Sequence, residues 1–168
     1  ETDTLDAVGK TLREDDASGV TEEAINAALE PFLGAIEQVP PAYSALMVDG
    51  ERAYDRARAG EAVELKGRSV TVHSLSLEAA DAVSATLHAH VSKGTYIRSL
   101  ARDFARALGT VGHVNMLRRT RAGPFSLDRA ISLDKLNEIG KGAALENVIL
   151  PLEAGLDDIP ALDLGPEQ

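Results

Sequence analysis

A tyrosine and an arginine stand two positions apart at the predicted start of a helix, directly after Ser92-Lys93-Gly94-Thr95. Arg98 falls in the first turn, where a cation opposes the helix dipole at a cost of roughly a few tenths of a kcal/mol. A carboxylate or a phosphate facing Arg98 would offset that cost. Tyr96 offers a flat face for a base or a sugar. The pair indicates a polyanion-binding site, whereas a core tyrosine beside a surface arginine explains the same residues equally well.

The distribution of charge favours a polyanion more than the total does. The 168 residues include 17 basic and 27 acidic side chains, a net charge of −10. Residues 93–121 nevertheless hold seven basic side chains against one acidic side chain, a local charge of +6. A cationic block inside an acidic chain is typical of a phosphate-binding face. A solvated basic helix and strand is the alternative.

Several other kinds of site are disfavoured. The chain has no cysteine, which excludes disulfides, thiolate metal sites and a cysteine nucleophile. Lys93-Gly94-Thr95 reverses the order that a phosphate loop requires. His88 and His90 share one face of a predicted strand, but two half-exposed strand histidines explain them better than a metal site. These residues therefore do not indicate a metal site or a phosphate loop.

Apolar periodicity predicts an α+β domain with a mixed, largely antiparallel sheet and flanking helices. A chain of this length can bury a core of its own. No run approaches the roughly 20 apolar residues that span a bilayer, and no signal peptide is visible, so we expect a cytoplasmic protein. The predicted elements are a helix capped by Thr21 that runs to about Leu29, strands at 69–78 and 83–92 with a bulge near His73-Ser74, a helix from Thr95 to about Leu108, a strand at 114–121 and a helix from Ser132 to Glu138.

Residues 40–67 interrupt this pattern. Pro40-Pro41 forces an extended entry, Asp49-Gly50 predicts a turn, and residues 54–59 can form one short helix. The stretch has few apolar residues and several basic ones. Long segments of this kind inside compact domains are usually lids or binding loops. We interpret it as a mobile insertion that lies over a surface.

Three long motifs follow one another along the chain: Gln38–Leu46, continued by Val48-Asp49-Gly50 and Arg52-Ala53-Tyr54; then Ser92–Asp103; then Leu117–Phe125. Together they resemble the bacterial tRNA pseudouridine-55 synthases, the TruB family. The resemblance runs in register over nearly the whole chain. It implies an isomerase that converts a uridine in the T-loop of tRNA to its C-glycoside, without metal or cofactor.

The resemblance also implies roles for individual residues. The target nucleotide is flipped into a pocket, as in other base-modifying enzymes. Tyr96 would stack on the flipped base and could assist proton removal from C5. Arg98 would pair with the catalytic aspartate and keep it ionised. Leu117 would pack against the base pocket.

The implied partner is the T-arm of tRNA, bound by a monomeric protein away from any membrane. The insertion at 40–67 would close over the RNA. The predicted RNA contacts are Tyr43, Arg52 and Arg58 in the insertion, and Lys93, Arg102, Arg118, Arg119 and Arg121 in the cationic block.

The chain departs from the family pattern at two places. Met47 stands where the family usually has lysine, which removes one cation near the RNA. The family's nucleophilic aspartate belongs to a Gly-Thr-Leu-Asp-Pro motif that these residues lack. Thr4-Leu5-Asp6 imitates its centre, but Ala7 replaces the proline. Asp3 and Asp6 match a later family segment, so we do not assign either as the nucleophile.

These departures predict that the chain is the interior of a longer enzyme. Residues 1–121 would form the central and C-terminal part of the catalytic domain. Residues 122–168 would be a connecting segment and the start of a C-terminal domain, with a proline-rich, acidic tail from Pro151. The alternative is a module that binds the T-arm or assists tRNA folding without catalysis. The cationic block weakens a third reading, a purely structural acidic domain.

Overall fold

A computed structural model describes residues 1–140 and 148–156 of the chain. The predicted tail beyond Leu156 and the stretch 141–147 lie outside the described residues. The chain divides into two compact units, the first at residues 1–116 and the second from Leu117 onward. The helices and strands are α1 (Glu22–Leu29), β1 (Gly34–Gln38), β2 (Met47–Val48), β3 (Glu51–Arg52), α2 (Ala53–Arg58), β4 (Arg68–Ala80), β5 (Ala85–Val91), α3 (Ile97–Ala107), β6 (Arg121–Ala122), β7 (Phe125–Ser126) and α4 (Leu133–Ile139).

The first unit is built on a three-stranded antiparallel sheet in the order β1-β4-β5. The register between β1 and β4 places Gln38 opposite Arg68. Between β4 and β5 the register shifts at Val72/Ser74, which confirms the predicted bulge, and shifts again at Leu77/Ala79. The second shift was not predicted. It keeps the long strand β4 twisted across the shorter β5.

Two helices cover one face of this sheet and complete the core. The predicted cap of α1 is confirmed, because Thr21 Oγ1 accepts a hydrogen bond from the Ala24 N–H at 3.2 Å. Phe104 of α3 meets Phe32 edge-on, with ring centroids 5.5 Å apart. The buried cluster consists of Ile25, Leu29, Val72, Leu75 and Phe104. Helices packed on an antiparallel sheet confirm the predicted α+β class.

The segment 40–67 carries more structure than a loop. It contains the β2–β3 hairpin and α2, and the short helix was predicted. Ala53 is fully buried, and its N–H donates to Leu46 O at 2.7 Å. The Arg56 guanidinium holds Asp49 at 3.2 Å and Glu61 at 2.8 Å. These bonds hold together the hairpin, α2 and the residues that follow α2. Met47, where the family usually has lysine, is 62% exposed.

The predicted strand at 114–121 is wrong. Val114 forms only an isolated bridge with Asp6, and the next extended residues are Arg121–Ala122, paired with Phe125–Ser126 across a turn. A strand requires a neighbour along its length, and residues 115–120 have no such neighbour within the described residues. In the second unit, the predicted helix after Ser132 is confirmed as α4, with Ser132 Oγ accepting from the Lys135 N–H at 3.1 Å.

No helix within residues 1–140 or 148–156 has the length and apolar character that crossing a membrane requires.

Candidate active site around Arg98 and Tyr96

The N-terminal loop reaches the start of α3 and supplies groups that the sequence motifs did not. A bridge between Thr2 and Thr11 closes this loop, and the Val114 N–H donates to Leu5 O at 3.0 Å. Leu5 is 5% exposed and has a φ of 60°, a conformation that non-glycine residues rarely adopt. This tight path brings the Thr4 carbonyl and the Asp6 carboxylate to Arg98.

Arg98 joins three chain segments through its guanidinium. Its Nη1 donates to Thr4 O at 2.7 Å and to Asp6 Oδ2 at 3.2 Å. Its Nη2 donates to Tyr43 O at 2.9 Å. The Arg98 side chain is 26% exposed. The Nε–H and one Nη2 hydrogen have no acceptor in the part of the chain that the structure describes, so Arg98 keeps donors for a further anion.

The Asp6 carboxylate is held ionised. Thr4 Oγ1 donates to Asp6 Oδ1 at 2.6 Å, and the Val8 N–H donates to the same oxygen at 3.3 Å. The hydrogen bond from Thr4 lowers the pKa of Asp6 most, and the Val8 N–H and the Arg98 cation lower it further, against partial burial that raises it. Sequence reasoning missed this partner of Arg98.

The lowered pKa of Asp6 predicts an acid-sensitive contribution to stability. A carboxylate whose pKa is lower in the folded state stabilises the protein above its unfolded pKa, about 3.9, and loses that contribution as the pH falls through the folded pKa. We expect Asp6→Asn to be less stable than wild type at pH 7, with the difference narrowing below about pH 4. Urea unfolding at pH 3 to 7 measures it. A difference that stays constant to pH 3 contradicts the assignment.

The first sequence motif is fastened to the second at the start of α3. The Tyr96 N–H donates to Gln38 Oε1 at 2.8 Å, and Gln38 Nε2 donates to Tyr96 O at 3.1 Å. Ser99 Oγ, at the buried face of α3, donates to Val39 O at 2.8 Å. Arg98 adds the bond to Tyr43 O. Two motifs about 55 residues apart therefore form one site.

Tyr96 lies at the junction that begins α3. It is the residue before the first helical turn, with extended φ and ψ of −93° and 108°. The Arg68 guanidinium lies 5.4 Å from the centroid of its ring. That contact is a cation–π arrangement. Arg68 was not among the predicted site residues, and only the register of β1 with β4 brings it here.

Two domain models of one protein family match this chain. The model described as "TruB family pseudouridylate synthase (N terminal domain)" matches residues 1–97, and "tRNA pseudouridylate synthase B C-terminal domain" matches residues 98–157. The chain belongs to the TruB family. The matches meet inside the site, between Ile97 and Arg98.

Curated TruB-family relatives agree over the full chain. The tRNA pseudouridine synthase B of Novosphingobium aromaticivorans is 62% identical over 173 residues, covering 100% of this chain and 57% of that protein. The protein of the same name from Zymomonas mobilis subsp. mobilis is 51% identical, covering 100% of this chain and 55% of that protein. The chain therefore spans about half the length of the curated relatives it matches.

A solved structure shares the fold. A chain in the crystal structure of a Cbf5–Nop10–Gar1 complex superimposes with a TM-score of 0.66 and 28% identity. The match covers 84% of this chain and 40% of the other. The α+β architecture of this chain is thus shared with a chain of that complex.

The remaining predicted TruB-family site residues fall into three groups. Arg52, Arg58 and Lys93 are exposed, and the Arg58 guanidinium lies 5.3 Å from the centroid of the Tyr54 ring. Arg102 is only 13% exposed. It donates to Asp103 at 2.7 and 3.0 Å and to Val39 O at 3.1 Å. A phosphate contact by Arg102 would compete with this ion pair.

The third group lies in the second unit. Leu117 is 62% exposed. Arg118, Arg119 and Arg121 are also exposed, and Arg121 Nε donates to Gly123 O at 2.8 Å. Their predicted roles at the base pocket and on RNA remain predictions.

No group of three or more histidine, cysteine, aspartate or glutamate residues is placed to hold a metal ion within residues 1–140 and 148–156. His73 and His90 pack against each other on the sheet, with ring centroids 4.7 Å apart. His88 and His90 lie on the same exposed face of β5, as predicted, and His90 also contacts His73 of β4.

Proposed function

We propose that the protein containing this chain is a tRNA pseudouridine synthase that isomerises the uridine at position 55 in the T-loop, acting as a monomer. The observation that carries the proposal is the fixation of Arg98, immediately beside Tyr96, by three hydrogen bonds from its guanidinium to two chain segments, the N-terminal loop and the Tyr43 carbonyl. Family membership and the names of the curated relatives support it. An isomerisation transfers no net electrons, so the reaction consumes no oxidant or reductant.

Arg98 and Asp6 prepare the site for a second carboxylate. Asp6 neutralises part of the Arg98 charge and orients its guanidinium through Nη1. The hydrogens that remain on Nε and Nη2 can donate to an incoming aspartate, which favours its ionised, nucleophilic form. That aspartate attacks C1′ of the flipped nucleotide and displaces the uracil, which breaks the N1–C1′ bond. The uracil rotates, its C5 bonds to C1′ and releases the aspartate, and the C5 proton passes to a base while N1 takes up a proton. Arg98 therefore acts on the nucleophile through position and charge.

Tyr96 supplies the surface against which the flipped uracil stacks. Stacking of a base on an aromatic side chain contributes about 1–3 kcal/mol and tolerates rotation of the base. That tolerance suits a reaction in which the base must turn before it rejoins. The hydroxyl of Tyr96 is the candidate for assisting proton removal from C5.

The test of this proposal is a map of the modified position. The full-length protein is incubated with an unmodified tRNA transcript, and pseudouridine is located by carbodiimide labelling and primer extension. We expect one modified uridine, at position 55 of the T-loop. A transcript with cytidine at that position is the control and should gain no pseudouridine. Modification elsewhere in the tRNA contradicts the proposed substrate position.

The exposed cations predict the salt dependence of tRNA binding. Replacing Lys93, Arg118, Arg119 or Arg121 singly by glutamine should weaken T-arm binding and reduce the log–log salt slope by roughly one unit for each phosphate that the variant no longer neutralises. Arg102→Gln should change the slope less, because Arg102 already pairs with Asp103. Binding titrations at several salt concentrations measure the slope.

Lys135→Gln is the matched control for this series. Lys135 is exposed, pairs with Glu138 at 3.3 Å, and lies outside the cationic block. Its replacement should leave the slope unchanged. An unchanged slope for all four variants of the block would show that these cations face away from the RNA.

A further inference from the structure

Gln38 is a buried polar residue whose side chain is wholly engaged with one neighbour. It ends β1 and is 1% exposed. Its amide oxygen accepts from the Tyr96 N–H at 2.8 Å, and its amide nitrogen donates to Tyr96 O at 3.1 Å. Both halves of the amide thus bind the backbone of a single residue, 58 positions away in the sequence.

This arrangement exceeds what packing requires. Burying an amide costs free energy unless its donor and acceptor both form hydrogen bonds. An apolar side chain of the same size would fill the space without that desolvation cost. The two bonds also reach Tyr96 at the N-terminal end of α3, where the helix itself does little to fix the backbone. Tyr96 is extended, precedes the first turn of α3, and has no side-chain cap. Its carbonyl accepts the first helical bond, from the Leu100 N–H at 3.0 Å.

We propose that Gln38 is a positioning residue for Tyr96. By holding the N–H and the carbonyl of Tyr96 together, it fixes the direction in which the Cα–Cβ bond leaves the backbone, and hence the place of the ring. The ring is then presented to Arg68, which lies opposite Gln38 in the sheet and covers the ring at 5.4 Å. The inference rests on the proposed function, in which that ring carries the flipped base.

A purely structural role for Gln38 is the competing explanation. Gln38 begins the first motif, and its bonds could serve only to fasten that motif to α3. Ser99 allows the two explanations to be separated. It is fully buried and fastens the same motif through Val39 O at 2.8 Å, without a side-chain bond to Tyr96. Loss of the Ser99 hydroxyl should weaken the attachment and leave the Tyr96 backbone held.

The first experiment compares Gln38→Met with Ser99→Ala in the full-length protein. Methionine keeps the size of glutamine and removes both hydrogen bonds. We expect the single-turnover rate of Gln38→Met to fall by about 10- to 100-fold while tRNA affinity changes by less than about 3-fold. Ser99→Ala should keep a rate within about 3-fold of wild type. Equal rate losses in both variants, or none in Gln38→Met, overturn the proposal.

The second experiment does not depend on activity. Amide hydrogen exchange is measured by NMR on the 168-residue chain. In Gln38→Met we expect the Tyr96 amide to exchange at least about 10-fold faster, while the Leu108 amide, bonded to Phe104 O at the far end of α3, keeps its rate. An unchanged Tyr96 amide overturns the proposal. An accelerated Tyr96 amide in the 168-residue Gln38→Met chain, together with a full-length wild-type protein that forms no pseudouridine, upholds the positioning and refutes the proposed function.

Discussion

Replacing Arg98 by lysine should lower the single-turnover rate of pseudouridine formation by about 100-fold or more, with tRNA affinity changed by less than about 3-fold. Lysine keeps the charge but offers one nitrogen. It cannot reach Thr4 O, Asp6 and Tyr43 O together, which the two terminal nitrogens of Arg98 do at 2.7, 3.2 and 2.9 Å. The nucleophilic carboxylate would then meet a displaced cation.

Arg106→Lys is the matched control for this substitution. Arg106 lies two turns further along α3 and is 55% exposed. Its Nη2 pairs with Glu1, and it makes no contact with Tyr96 or Asp6 in the described structure. Its replacement should leave both rate and affinity near wild type. If Arg98→Lys instead loses affinity at a normal single-turnover rate, Arg98 is a phosphate contact and the active site lies elsewhere.

The 168-residue chain by itself should bind the T-arm and release no tritium from tRNA that carries uridine labelled at C5. Pseudouridine formation expels the C5 hydrogen, so tritium release reports the chemical step directly. The chain lacks the Gly-Thr-Leu-Asp-Pro motif. Its imitation, Thr4-Leu5-Asp6, has its carboxylate engaged by Thr4, Val8 and Arg98. Three donors on the Asp6 carboxylate leave it fewer free lone pairs for attack than a carboxylate that accepts from Arg98 alone.

The control is the full-length protein assayed in parallel, with the mass of both samples verified. Binding without turnover by the chain, together with turnover by the full-length protein, supports the proposed function. Binding without turnover by both identifies a T-arm-binding or tRNA-folding module instead. Robust turnover by the 168-residue chain would make Asp3 and Asp6 nucleophile candidates again. Tritium release by Asp3→Asn and by Asp6→Asn would then show which of the two carboxylates the reaction needs.

Local patterns predicted most of the elements correctly. The apolar repeat of α3 and the glycine at its end, Gly109 with a φ of 77°, reflect the contacts of one helix with one core. The cap at Thr21 depends on a hydrogen bond within three residues. The bulge near His73 appeared as a change of parity along a single strand. Each of these features is governed by neighbours in sequence, so spacing alone predicts it.

The strand predicted at 114–121 failed because alternation and basic character do not supply a partner strand. Val114 finds Asp6, whereas the chain beyond it has no neighbour to pair with until the hairpin at Gly123. The segment 40–67 was interpreted as a surface loop because it has few apolar residues. Backbone bonds from Ala53 and Tyr54 to Leu46 O and Ser44 O give the segment its internal structure, and the bond from Arg98 to Tyr43 O holds it to α3.

The sequence by itself determined the four helices, two of the three strands of the main sheet, the family resemblance and the two residues at the centre of the candidate site, Tyr96 and Arg98. Only the tertiary structure decided their surroundings. Asp6 meets Arg98 across 92 positions, and Gln38 meets Tyr96 across 58. Apolar periodicity and helix capping reflect interactions between residues a few positions apart. The bonds of Asp6 and Gln38 depend instead on the path of the whole chain and on the register of the sheet. A motif can therefore single out a candidate arginine, but the folded chain determines which carboxylate and which carbonyls hold it.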